Sequence, residues 1–175
     1  MCIRDSLTNV PKNLIEKWQK FKRVQLNCSI DAVGKLDRYI RHPSNWETIE
    51  RNFETIRKLE NTNIEIHCTV QMYNILHLDK LIKWALPYEH KIYFNILNHP
   101  EYLNIRCLPI ELKNMAQLRL TPYRDLPKVQ SIIDYMWAED WSNNLDAFFE
   151  YTNQLDKSRN ENLYNIVPEF KQYGK

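Results

Sequence analysis

The sequence has only two glycines, Gly34 and Gly174, in 175 residues. That excludes a glycine-rich phosphate loop and a dinucleotide fingerprint, both of which need several glycines close together. An excess of one charge is also missing, since 24 basic against 22 acidic residues leave a net charge of +2. This balance gives no electrostatic footprint for nucleic acid. No apolar run reaches the roughly 18 residues of a membrane-spanning helix, so no membrane partner is expected. The N-terminus lacks the apolar core of a signal peptide, which points to the cytoplasm. Cys2, Cys28, Cys68 and Cys107 stand far apart in the chain. No pair has the short spacing of a zinc or iron–sulfur motif, so no metal ligands are expected within this chain. Cys28 and Cys68 fall on apolar strand faces and read as small buried residues.

What is present suits a single domain with a core, at 43% hydrophobic residues. Met1–Ser6 matches nothing that follows; it resembles translated sequencing adapter and is expected to be non-native. A helical stripe of Leu14, Ile15, Trp18 and Phe21 then runs from about Pro11. From Val24 to Asp31 the chain alternates without a break. Val24, Leu26, Cys28 and Ile30 share one face; Gln25, Asn27, Ser29 and Asp31 share the other, which is the period of a strand. Ser44-Asn45-Trp46-Glu47 reads as a capping box opening a helix with the stripe Trp46, Ile49, Phe53, Ile56 and Leu59. A second strand puts Ile64, Ile66, Cys68, Val70 and Met72 opposite Asn63, Glu65, His67, Thr69 and Gln71. Asn74 suits a cap for the helix carrying Ile75, Leu78, Leu81, Ile82 and Ala85. A third strand, Lys91 to Leu97, follows. Helices are expected near Ile110–Leu120, Val129–Trp137 and Asn143–Leu155, then a polar stretch from Asp156 to Asn162.

Helix and strand alternate three times, which argues for an α/β fold of βαβ units on a parallel sheet. Parallel strands buried on both faces read as continuous apolar runs, and these do not. Their polar faces either meet water or line a cavity. An open or closed β/α barrel, with its outer strand face on helices and its inner face in the lumen, offers the second arrangement. Ligands in such folds sit at the C-terminal strand ends, here near Ser29 and Asp31, Thr69 and Gln71, and Asn95 and Asn98.

Ser29-Ile30-Asp31-Ala32-Val33-Gly34, then Tyr39-Ile40-Arg41 and Pro43-Ser44-Asn45-Trp46, resembles the fourth-strand region of twitch-type radical S-adenosylmethionine (radical SAM) proteins. Thr69-Val70 with Asn74 is similar to their fifth strand. Asn98-His99-Pro100-Glu101-Tyr102-Leu103 is similar to the exit of their sixth, and Leu155-Asp156, Arg159 and Val167-Pro168-Glu169-Phe170 to their C-terminus. The resemblance implies that residues 7–108 are the C-terminal half of a partial β/α barrel carrying three strands, and that 109–175 form a helical extension. It implies S-adenosylmethionine and a 4Fe-4S cluster in the parent protein, with radical chemistry on a substrate such as a peptide or small molecule. The cluster cysteines and the earlier strands are absent from this sequence. The chain alone is therefore expected to bind neither group and to be inactive, with the missing N-terminal half of the barrel as its partner.

By the same resemblance Ser29, Asp31, Arg41, Gln71 and Asn95 would contact the cofactor. The plain alternatives are loop capping by Ser29 and Asp31, a surface ion pair for Arg41, and solvated positions for Gln71 and Asn95. His67 and His99 are separate candidates for acid–base work or simple structural roles. Two other readings stand beside the radical enzyme. One is a non-catalytic β/α interaction module without a cluster domain. The other is a hydrolase using Ser29, Asp31 and His67, which needs a histidine base within bonding reach of the hydroxyl.

Overall fold

The computed structural model describes residues 1–88 and 91–174. Strict alternation makes the two central strands. β2 (Val24–Ser29) buries Val24, Leu26 and Cys28, and β3 (Thr62–Val70) buries Ile64, Ile66, Cys68 and Val70. The intervening polar residues of both strands stay half-exposed, apart from the exposed Asn63. β4 (Lys91–Ile96) follows the same rule with Phe94 buried at its centre.

A further strand, β1 (Cys2–Asp5), brings the total to four rather than the expected three. It pairs parallel with β2 from Cys2↔Gln25 to Asp5↔Cys28. The physical reason is the edge of β2, whose row of N–H and C=O groups takes up an adjacent extended segment whatever its side chains. The sheet order is β1-β2-β3-β4, all parallel, with β3 against β4 from Glu65↔Lys91 to Val70↔Ile96.

The connections hold α1 (Lys12–Gln19), α2 (Lys35–Ile40), α3 (Trp46–Ile56) and α4 (Leu78–Ala85). After the sheet come α5 (Ile110–Leu120), α6 (Val129–Ala138), α7 (Leu145–Arg159) and α8 (Leu163–Ile166). Among the described residues, then, the chain is α/β, with a four-stranded parallel sheet and eight α-helices. No described helix is long and apolar enough to cross a membrane.

α3 turns Ile49, Phe53 and Ile56 inward. The Trp84 ring of α4 meets Phe53 at 4.9 Å and Trp46 at 5.2 Å, which joins the two helices. The expected capping box at Ser44 is replaced by a cap one residue later. Asn45 Oδ1 accepts the Thr48 N–H at 2.8 Å, while Ser44 donates to Asp37 Oδ2 at 2.9 Å. Asparagine caps as well as serine, and a buried carboxylate takes the hydroxyl instead. α7 also runs past the expected polar linker at Asp156. It ends where Asn160 adopts the left-handed conformation, φ 52°.

The C-terminal helices share the core of the sheet. Phe148 packs on Tyr73 at 5.2 Å and on Phe170 at 5.2 Å. Ile66, at the centre of β3 and with no exposure, belongs to the same core. Ile66→Ala is expected to lower stability by about 2–5 kcal/mol in urea unfolding. Leu118→Ala, at a position 75% exposed, should change it by no more than about 0.5 kcal/mol.

Candidate functional site

The polar residues at the C-terminal strand ends converge on Asp31, which is 5% exposed. Its Oδ1 accepts the Thr69 N–H at 2.7 Å, and its Oδ2 lies 2.8 Å from Arg41 Nη2. Burial pushes the Asp31 carboxyl up, and Arg41 and the Thr69 N–H offset that only in part. The Asp31 carbonyl accepts from Asn74 Nδ2 at 2.8 Å.

Asn74 is fully buried and makes no helix-cap bond, contrary to its sequence reading. Its Nδ2 donates also to the Thr69 carbonyl at 2.8 Å, and its Oδ1 accepts the Gln71 N–H at 2.9 Å. A buried amide must find partners for both donors and its oxygen, and here the two strand ends supply them.

Arg41 closes α2 and reaches back over Asp31. It is about a quarter exposed, and its Nε is buried without a partner. Below it Asp37, fully buried, takes the Ser44 hydroxyl on Oδ2 and leaves Oδ1 without a partner. Burial raises the Asp37 carboxyl to about 6, against the pull of the Ser44 bond and the Arg41 charge.

A cavity of about 630 Å³ opens over this group, lined among others by Asp31, Arg41, Ser44, Thr69 and Gln71. That volume lies within the range of small-molecule sites. Of the five residues expected to contact a cofactor, the structure brings Asp31, Arg41 and Gln71 to this cavity. Ser29 and Asn95 do not line it. The Ser29 hydroxyl accepts from Arg4 Nε at 3.3 Å, and Asn95 is exposed on β4 beside Thr69. His67 stacks on Tyr93, rings 5.1 Å apart, with Nε2 at 3.8 Å from Glu65. It neighbours Ser29 across the strands, yet the serine hydroxyl is engaged with Arg4. His99 is exposed beyond β4. Asp37 and Ser44 join this group although neither was a candidate site residue. Ser44 stood out only in the capping box and in Pro43-Ser44-Asn45-Trp46, and nothing marked Asp37.

The cysteines are all free, and Cys28, Cys68 and Cys107 are buried. Burial pushes Cys28 up to about 12, Cys107 to about 11 and Cys68 well above its usual value. A cluster needs several cysteines gathered around it, whereas Cys2 is exposed and the other three are buried apart from it. The cysteines of this chain therefore do not fit a 4Fe-4S cluster. Among the described residues no group of three His, Cys, Asp or Glu could hold a metal ion. No family model, no curated protein and no solved structure matches the chain.

The folded state holds the Asp37 proton more tightly than the unfolded chain, whose carboxyl ionises near 3.8. The stability this contributes is complete below about 3.8 and is lost as pH rises through about 6. Asp37→Asn keeps an acceptor for Ser44 and removes the titration. Melting temperatures across that window should fall for the native chain relative to the variant; parallel curves would show that Asp37 does not titrate there.

Proposed function

We propose that this chain is the C-terminal half of a radical S-adenosylmethionine protein, forming one side of a partial β/α barrel. The reading rests on the pair of buried Asp31 and quarter-exposed Arg41 at the C-terminal strand ends, facing a cavity of about 630 Å³. The motif Ser29-Ile30-Asp31-Ala32-Val33-Gly34 with Tyr39-Ile40-Arg41 supports it from the sequence side.

Arg41 suits the carboxylate of the methionine moiety, because it is a cation at the cavity wall, about a quarter exposed. Gln71 supplies an amide on the same wall. Asp31 acts through Arg41 rather than on the ligand, since both its oxygens already accept from the protein. In the parent protein the bound cofactor and its cluster would supply the radical that starts chemistry on a substrate such as a peptide. The cluster would belong to the preceding half, because the cysteines here do not fit it.

Two measurements test this. Genomic DNA upstream of Leu7 should continue in frame into a CxxxCxxC segment; a stop codon and ribosome site there would overturn the reading. In the protein joined to that half, S-adenosylhomocysteine should bind. Arg41→Lys, which keeps the charge beside Asp31 but removes the guanidinium fork, should weaken binding about tenfold. Unchanged affinity would remove Arg41 from the contact set.

A second reading is favoured by the saturation of Asp31, which a purely structural clip between strands would also produce. It is the non-catalytic β/α module, and an upstream stop codon is the outcome it requires.

A further inference from the structure

β4 ends the sheet, and its outer edge carries a pattern the cofactor reading does not use. The Leu97 N–H donates to the Val70 carbonyl. In a parallel ladder alternate residues direct both backbone groups to the same neighbour. Counting back, Asn95 and Tyr93 face β3, so Ile92, Phe94 and Ile96 direct their N–H and C=O groups outward. Among the described residues no hydrogen bond from another element reaches them.

Two cavities lie along this edge. One, of about 490 Å³, is lined by Ile92, Phe94, Leu126 and Pro127 among others. The other, of about 370 Å³, is lined by Phe94, Ile96, Ile132 and Tyr135 among others. Phe94 and Lys128 line both, so the two lie side by side as a groove between β4 and the start of α6. Among the described residues that line it the charged ones are Lys91 and Lys128, and Glu65 is the partner of Lys91 across the strands. Among the described residues neither lysine has a salt-bridge partner.

We infer that this groove takes an extended acidic peptide segment as an added strand on β4. The outward N–H and C=O groups supply main-chain bonds to any extended peptide, and the groove takes alternate apolar side chains. The two lysines select for carboxylates. A lysine at a sheet edge discourages pairing with further copies of the same chain. A second copy would bring its own Lys91 and Lys128 against the same two lysines, like charge against like. An acidic segment meets both requirements at once. This inference does not depend on the radical S-adenosylmethionine reading, and failure of either leaves the other standing.

The test is selection of a phage-displayed library of random dodecapeptides on the full chain, then binding of the enriched peptide in solution. The expected peptides alternate apolar residues with Asp or Glu. They should slow amide exchange at Ile92, Phe94 and Ile96. Lys91→Glu combined with Lys128→Glu should weaken binding at least about tenfold, the size of a lost charge-assisted contact. Ile92→Pro removes an outward N–H without touching the β3 ladder and should abolish binding. If that variant fails to fold by circular dichroism, the lysine pair decides alone. No enrichment, enrichment without acidic residues, or binding unchanged by the lysine reversals would overturn the inference. So would self-association through β4 in size-exclusion chromatography.

Discussion

The Asn74 side chain fixes the end of the sheet, and the candidate site depends on that end. One amide group joins the Asp31 carbonyl, the Thr69 carbonyl and the Gln71 N–H, all within 2.9 Å. These groups close two neighbouring strands where the chain leaves the sheet. Removing the amide would leave buried backbone groups without partners, at about 1–3 kcal/mol each. It would also free the backbone that aims the Asp31 carboxylate, hence the position of Arg41 and one wall of the cavity. A fold element and a site element are the same hydrogen-bonded knot here.

The site is braced from the far end of the chain as well. The Tyr39 hydroxyl, in the helix that carries Arg41 at its end, donates to Asp156 at 2.8 Å. Arg159 donates to the Tyr39 carbonyl at 3.2 Å, and Asp156 Oδ2 accepts the Leu163 N–H at 2.7 Å. Glu169 then ties the tail to α5 through Arg119 at 2.8 Å and to the start of α4 through His77 at 2.9 Å. Burial works against the charge of Glu169, but those partners outweigh it and hold the carboxyl at about 2. The C-terminal helices therefore set the position of α2 as well as covering the core.

The strands were legible because burial on one face imposes a period of two, and Val24 to Ile30 and Ile64 to Val70 keep it throughout. Asp31, Arg41 and Gln71 were legible as strand-end or motif residues. Asn74 was not, because its partner Asp31 lies 43 residues away and no local pattern encodes that contact. Asp37 and Ser44 escaped for a related reason: a hydroxyl meeting a buried acid leaves no periodic trace. Ser44 even carried a local signal, the capping box, that tertiary contact overrode. β1 was illegible because edge pairing uses backbone groups, which every residue but proline supplies in full.

That last point bears on how the sheet could grow. The strands lie in the order of the chain, so each crossover adds a strand on the same side. A preceding βα unit would then dock on the edge of β2, and a following one on the edge of β4. β1 now occupies the first position with alternately exposed and half-exposed residues, contributing little to the core, while the next buried apolar residue is Leu7. In the proposed half-barrel this is where the previous barrel strand belongs, and Cys2–Asp5 takes its place through main-chain pairing with the Arg4–Ser29 contact beside it. The β4 edge differs: Lys91 and Lys128 line the cavities between it and α6. One edge takes its strand mainly by backbone pairing, and the other would select one by charge and shape.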